Sequence, residues 1–184
     1  MRIITGSLKG RPIPIPDTGL VRPTSDRTKE GIFSVISARR YFDRLQVLDL
    51  FAGSGNLGFE AISRGAAFVT FVDQQTEHAA QIRRTATDLG VASQTAIITQ
   101  DVHTFLETPP PMAYDLIFCD PPYDLPWLAE MPDNLLEKNW LHSDGWLILE
   151  HDRRIRFEDH PACRFSKAYG RTVVSIFTQD ETAF

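Results

Sequence analysis

Cysteine is scarce in this chain: Cys119 and Cys163 are the only two among 184 residues, far apart and each set in an apolar, strand-like run. A disulfide framework is excluded, and both residues are expected to be buried free thiols. The five histidines, at 78, 103, 142, 151 and 160, are scattered, and no Cys/His cluster has zinc-ligand spacing. No metal is expected, and the histidines read as surface or capping residues rather than as a catalytic base. Internal repeats and low-complexity tracts are absent. No apolar run is long enough to span a bilayer, and Met1-Arg-Ile-Ile-Thr-Gly-Ser7 leads into polar sequence rather than the apolar segment of a secretory signal. The expected location is therefore cytoplasmic. What remains is an ordinary globular composition, 42% apolar and 23% charged, of a length that suits one domain with a substantial core.

Excess charge is also small, −5 overall, but its distribution is uneven. Residues 1–44 hold nine Lys/Arg against four Asp/Glu, residues 45–152 hold four against sixteen, and residues 153–172 hold six against two. Basic ends thus flank an acidic middle. Local sign rather than total charge decides where a polyanion docks, so the basic amino-terminal residues suggest RNA or DNA as partner against the alternative of a solvated surface.

Between residues 45 and 150 the apolar pattern alternates strand and helix in the manner of βαβ units. Strands are predicted over 46–50, 68–72, 95–99, 114–119 and 145–150. Helices are predicted over about 56–64, 75–89, 102–106 and 127–138. Two further strands, 163–169 and 172–178, flank Gly170-Arg171 and read as an antiparallel hairpin. The expected fold is α/β, a Rossmann-like, mostly parallel seven-stranded sheet ending in that hairpin. Ahead of it, residues 2–5 and 11–15 are predicted to form an edge hairpin limited by Pro12, Pro14 and Pro16. A helix capped by Thr24 or Ser25 should follow, running to about Ser37 with Ile32, Phe33 and Ile36 on its apolar side. The division expected is a basic extension over 1–44 and a core over 45–184.

Two stretches carry the chemistry. Asp49-Leu-Phe-Ala-Gly53-Ser-Gly55-Asn-Leu-Gly58 follows the first strand and opens a helix, so backbone can approach a ligand closely beside free N–H groups. Its glycines satisfy the dinucleotide fingerprint, with Asp73 ending the next strand, which keeps NAD binding open. Asp49, however, places an acid where a pyrophosphate would lie. That suits a cationic sulfonium and ammonium, as in S-adenosylmethionine, better than a phosphate. Asp73 can then accept from ribose hydroxyls, and Asp101, after the third strand, from an adenine amine. The second stretch is Asp120-Pro-Pro-Tyr123, where two prolines stop the fourth strand in a stiff turn. A carboxylate and fixed carbonyls before an aromatic ring suit a planar –NH2 group, as on a nucleobase. Glu150, ending the fifth strand, is a further acid that can approach the site, while Trp127, Trp140 and Trp146 read as packing residues.

Together, Asp49-Leu-Phe-Ala-Gly-Ser-Gly55, Asp73, Asp101 and Asp120-Pro-Pro-Tyr123 resemble the motif set of class I S-adenosylmethionine-dependent methyltransferases that act on exocyclic amines. Gly6-Ser-Leu-Lys-Gly-Arg11, Arg22-Pro-Thr-Ser-Asp-Arg-Thr-Lys-Glu-Gly-Ile-Phe33 and Gly58-Phe-Glu-Ala61-Ile-Ser-Arg-Gly65 narrow the resemblance to the bacterial RsmD family. It covers nearly the whole chain, with Asn56 standing where a small residue is common and Tyr123 where some relatives have phenylalanine.

The resemblance implies direct in-line methyl transfer to N2 of a guanine in 16S ribosomal RNA, on a 30S subunit or an assembly intermediate. It implies S-adenosylmethionine as cofactor, held by Asp49, Phe51, Gly53, Ser54, Gly55, Asp73, Asp101 and Val102, and no metal. Asp120, Pro121, Pro122 and Tyr123 are the implied catalytic set. Arg2, Lys9, Arg11, Arg22 and Arg27 are the candidates for RNA phosphates, although Arg22 and Arg27 can instead pair with Asp26 or Glu30. A monomer is expected. The residues alone leave adenine N6 open as the target, and an NAD-dependent oxidoreductase is the alternative from another class.

Overall fold

Strands flanked by helices on both faces have no polar side, and the central strands here are apolar at almost every position. In the computed structural model, which describes residues 1–15 and 26–184, they are β1 (Gln46–Leu50), β2 (Phe68–Asp73), β3 (Thr95–Thr99), β4 (Tyr114–Cys119) and β5 (Leu141–Asp152). The helices are α1 (Asp26–Ser37), α2 (Asn56–Ser63), α3 (Thr76–Asp88), α4 (Val102–Glu107) and α5 (Met131–Glu137). β6 (Cys163–Tyr169) and β7 (Thr172–Phe177) close the chain. The sheet order is β3-β2-β1-β4-β5-β7-β6, with β1 to β5 parallel and β7 antiparallel to both neighbours. Alternate residues point to opposite faces. Val47, Leu116 and Phe118 enter one core with Phe33, Phe59 and Phe71, while Leu48, Ile117 and Leu149 enter a second with Leu135, Trp140 and Phe177. No helix among the described residues is long and apolar enough to cross a membrane.

The expected sheet is present, with four differences in detail. β5 begins at Leu141 rather than Gly145, because its pairing with β4 jumps from Tyr114–Leu141 to Leu116–Trp146 and leaves extra residues bulged outward. The helix expected from Trp127 is a 3-10 turn over Leu128–Glu130, and α5 starts only at Met131, where Pro132 fits a first helical turn. The amino-terminal hairpin is reduced to a single bridge, Arg2 to Pro12, since prolines remove its ladder donors. Cys119 is buried as expected, whereas Cys163 is only half-buried. Pro16, Arg22 and the expected cap at Thr24 or Ser25 lie outside the described residues.

The amino-terminal segment is fastened to α2 by polar groups. Lys29, on α1, is completely buried, with Nζ 3.2 Å from Glu60 Oε2. It also donates to Arg2 O at 2.6 Å and to Asn56 Oδ1 at 2.7 Å. Glu60 accepts in addition from Ile4 N (2.8 Å), Thr5 N (3.0 Å) and Arg64 Nε (2.9 Å). At the other end of α2, Ser63 O accepts from Ser7 N at 2.8 Å, and Ser63 Oγ accepts from Leu8 N at 3.0 Å. Gly6 makes that approach feasible: its φ is +92°, and a Cβ there would lie 1.8 Å from Ser63 O. Burial pushes the Lys29 pKa down, opposed by the Glu60 charge and hydrogen bond. Removing one partner of a buried pair leaves the other uncompensated. Lys29→Met is therefore expected to destabilise the fold by about 3–5 kcal/mol in urea unfolding, with Arg2→Met near neutral because its pair with Asp26 is long and exposed.

Candidate active site

The strand register determines what meets at the carboxyl edge of the sheet. Leu50 lies level with Val72 and with Cys119, so the next residues, Phe51, Asp73 and Asp120, converge there. This is also where the strand order reverses, between β1 and β4, the usual binding crevice of an open α/β sheet. A cavity of about 680 Å³ occupies the position. Its wall includes Asp49, Phe51, Gly53, Ser54, Asp73, Val102 and all of Asp120-Pro-Pro-Tyr123. Of the residues expected to hold a cofactor, Gly55 and Asp101 do not line it.

Gly55 acts behind the wall: at φ +75° it turns the loop into α2, its N–H bonded to Ala52 O at 2.7 Å. Asp101 caps α4, accepting from Thr104 N at 2.9 Å and Thr104 Oγ1 at 3.2 Å. Asp73 Oδ2 accepts from Gly53 N at 2.8 Å, while Oδ1 accepts from Gln75 N at 2.8 Å and lies 3.1 Å from His78 Nδ1. Asp49 is almost fully buried and accepts from Gly58 N at 2.9 Å. Burial pushes its pKa well above the ordinary carboxylate range; the Gly58 hydrogen bond opposes this, and the nearby Asp120 and Asp73 charges add to it. Phe51 takes a left-handed φ of +55°, a strained conformation for a side chain of this size, and its ring lies 6.2 Å from that of Trp127.

The Pro-Pro turn is fixed from outside. Tyr123 Oη shares a 2.6 Å hydrogen bond with Thr172 Oγ1 of β7, and Arg154 Nη2 donates to Tyr123 O at 3.0 Å. The ring therefore stands against the cavity at a set angle, half-buried, with Asp120 half-buried beside it.

Several wall residues have no distinctive sequence context: Thr28, Asn56, His78, Arg154, Tyr169, Arg171 and Thr172. Glu150 does reach the wall and is buried. The histidines correct the expectation of surface residues in two cases. His78 is buried against Asp73, and His151 is buried between Asp152 O and Ser175 Oγ. The 3.6-residue periodicity of α3 is the signal that places His78 on its inner face. Asn56 is 6% exposed, and its amide is oriented by Lys29: Oδ1 accepts from the ammonium, so Nδ2 is a buried donor at the cavity with no partner among the described residues. The basic residues proposed from sequence lie elsewhere. Arg2, Lys9, Arg11 and Arg27 are exposed and outside the wall, with Arg11 donating to Asp88 O at 2.7 Å, and Arg22 falls outside the described residues. Among the described residues no group of three or more His, Cys, Asp or Glu can hold a metal.

A parallel sheet with one antiparallel strand slotted in next to last, and acids at its first two strand ends facing one cavity, defines a class I S-adenosylmethionine-dependent methyltransferase. The family model described as "Conserved hypothetical protein 95" matches residues 1–178. The chain is 38% identical over 156 residues to the ribosomal RNA small subunit methyltransferase D of Haemophilus influenzae, covering 83% of this chain and 79% of that protein. It belongs to that family, the RsmD family, and its cofactor is S-adenosylmethionine. Among solved structures, yhhF of Escherichia coli superposes with a TM-score of 0.84 at 28% identity over 96% of each chain. An RNA methyltransferase of Salinibacter ruber, solved with S-adenosyl-L-homocysteine, shares the fold alone: TM-score 0.67 and 15% identity over 87% of this chain and 95% of that one.

The buried donor of Asn56 and the buried acids fit a ligand that bears both a carboxylate and a positive charge. For Asp49 the sign of the linkage is clear. A carboxyl whose pKa is raised by folding costs stability once pH exceeds its ordinary pKa, and the full cost applies above the raised value. Asp49→Asn keeps an acceptor for Gly58 N–H and removes the charge. The ligand-free variant should melt higher than wild type at pH 8, by about 2–4 °C for each kcal/mol regained, while calorimetry shows weakened binding of S-adenosylmethionine.

Proposed function

We propose that the protein methylates the exocyclic N2 amine of a guanine in 16S ribosomal RNA. The observation that carries this reading is the shared cavity: the Asp120-Pro-Pro-Tyr123 turn opens into the same space as Asp49, Asp73 and the glycine loop. Amine chemistry and the cofactor subsite are thereby adjacent. The names of the relatives point to small-subunit ribosomal RNA, and the resemblance of the turn and flanking motifs points to guanine N2.

When bound, S-adenosylmethionine supplies an electrophilic methyl on a sulfonium. The residues for holding it are assigned as follows. Asp73 accepts from the ribose hydroxyls, and Phe51 and Val102 enclose the adenine. Gly53 and Ser54 present backbone to the methionyl part, beside the Asp49 carboxylate. Asn56 Nδ2 donates to the methionyl carboxylate, which removes the roughly 1–3 kcal/mol penalty of an unpaired buried donor.

Asp120 accepts one hydrogen of the guanine amine, and the Pro121 carbonyl accepts the other. Both draw the nitrogen out of conjugation with the ring and expose its lone pair for in-line attack on the methyl carbon, and Asp120 accepts the proton that the nitrogen sheds once methylated and passes it to water. Tyr123 stacks on the base, a contact worth about 1–3 kcal/mol; Thr172 holds its hydroxyl and Arg154 its backbone carbonyl. The base must leave its stack to enter, which favours a loop or partly opened RNA. Positioning and fixed charge supply the rate.

The direct test is to incubate the protein with labelled cofactor and 30S particles or 16S RNA from a strain lacking the enzyme, then map the methylated nucleoside; label on adenine N6, or none, removes the guanine assignment. Asp120→Ala should lower turnover by roughly 10³-fold with affinity for S-adenosyl-L-homocysteine little changed. Asn56→Ala should weaken S-adenosyl-L-homocysteine by about tenfold, from the lost charge-assisted bond, and leave 5′-methylthioadenosine, which lacks the carboxylate, unaffected.

A further inference from the structure

The cations at the active-site cavity come from the other end of the chain than the basic amino-terminal arm. Arg154 and Arg171 line its wall beside Tyr123. They also line a second, shallower cleft of about 380 Å³, together with Asp152, Arg153 and Gly170. All three arginines are exposed. Arg153 Nη2 donates to Gly170 O at 2.8 Å, which ties the segment after β5 to the β6–β7 turn. Arg154 is paired with Asp152 and also donates to Tyr123 O. Arg171 makes no hydrogen bond or ion pair among the described residues. Among the described residues Asp152 is the cleft's only acid and is already matched by Arg154, so their charges leave a surplus of two positive charges there.

Three guanidiniums on two segments joined by the Arg153–Gly170 bond suit a tetrahedral dianionic or monoanionic oxygen group, because the planar fork donates two parallel N–H bonds to adjacent oxygens. The cleft is also anchored to the aromatic ring of the site: Thr172 follows Arg171 directly and bonds the Tyr123 hydroxyl, and Arg154 bonds the Tyr123 carbonyl. A nucleotide whose base rests on Tyr123 must lead its own backbone out of the cavity past these residues. The chain is otherwise acidic from 45 to 152, and a polyanion entering there needs such a local surplus of positive charge.

We infer that the cleft formed by Arg153, Arg154 and Arg171 binds a backbone phosphodiester next to the target nucleotide, and so fixes the strand as its base enters the cavity. This rests on RNA being the substrate. Arg153 and Arg171 are the residues to test, because Arg154 also supports the catalytic turn.

The experiment is filter binding of a labelled 16S RNA transcript to the full-length protein across a series of KCl concentrations, with S-adenosyl-L-homocysteine affinity measured by calorimetry on the same preparations. The double variant Arg153→Ser/Arg171→Ser should lose about tenfold or more in RNA affinity. The slope of log K against log[KCl] should fall by about 1.4, from about 0.7 per lost single-strand phosphate contact, with cofactor-product affinity unchanged. The Arg153→Lys/Arg171→Lys variant should restore the slope. A serine variant that binds S-adenosyl-L-homocysteine normally and keeps the wild-type RNA affinity and slope overturns the inference while leaving RNA as the substrate. A wild-type protein that neither binds nor methylates the RNA overturns the substrate reading itself.

Discussion

The buried ion pair between Lys29 and Glu60 is the contact on which the active site depends. Lys29 has no water to solvate it, so its three protons must all find acceptors, and they do: Glu60, Arg2 O and Asn56 Oδ1. Two of the acceptors lie one turn apart on α2, and the third is in the amino-terminal segment. Glu60 sits in the middle of α2, Arg2 in the amino-terminal segment, and Asn56 at the first turn of α2 beside the glycine loop. One ammonium thus sets the distance between the extension and the core and orients the amide that faces the cavity. Such a pair adds little net stability compared with an apolar substitute of the same shape; what it contributes here is geometry, because only one arrangement satisfies every donor.

The cavity wall is rich in carboxylates. Asp49, Asp73, Asp120 and Glu150 all face it; burial is the main cause of the raised Asp49 pKa, and repulsion from Asp120 and Asp73 adds to it. A cationic cofactor relieves that repulsion, which a pyrophosphate would worsen. Arg154 and Arg171 line the same cavity near Tyr123, so its wall carries both signs of charge.

The strands, their order of appearance and the acids at their ends were legible in the sequence because they follow from local patterning: apolar runs of five or six, a glycine loop, a double proline. The glycine loop and Asp120-Pro-Pro-Tyr123 were visible as chemistry for the same reason. What could not be read came from long-range pairing. Lys29 looks like any charge on an amphipathic helix, and only packing shows that it is buried. Asn56 looked like a tolerated departure, yet it is the partner of Lys29. Arg171 read as a hairpin turn residue, and its place at the cavity depends on β7 lying beside β5. Asp101 shows the converse: a strand-end acid with an evident structural use as a helix cap, one residue outside the cavity wall.

The position of β7 has a consequence for how the molecule forms. β7 lies between β5 and β6 although it is made after both, so β6 can join the sheet only through β7. Thr172, which holds the Tyr123 hydroxyl, arrives with β7. Until β7 is in place the Tyr123 hydroxyl lacks its bond to Thr172. Pairing of β7 with β5 and completion of the cavity wall at Tyr123 are thus coupled, and a chain whose last strand is undocked retains the glycine loop and its acids without the Thr172 bond that sets the Tyr123 ring.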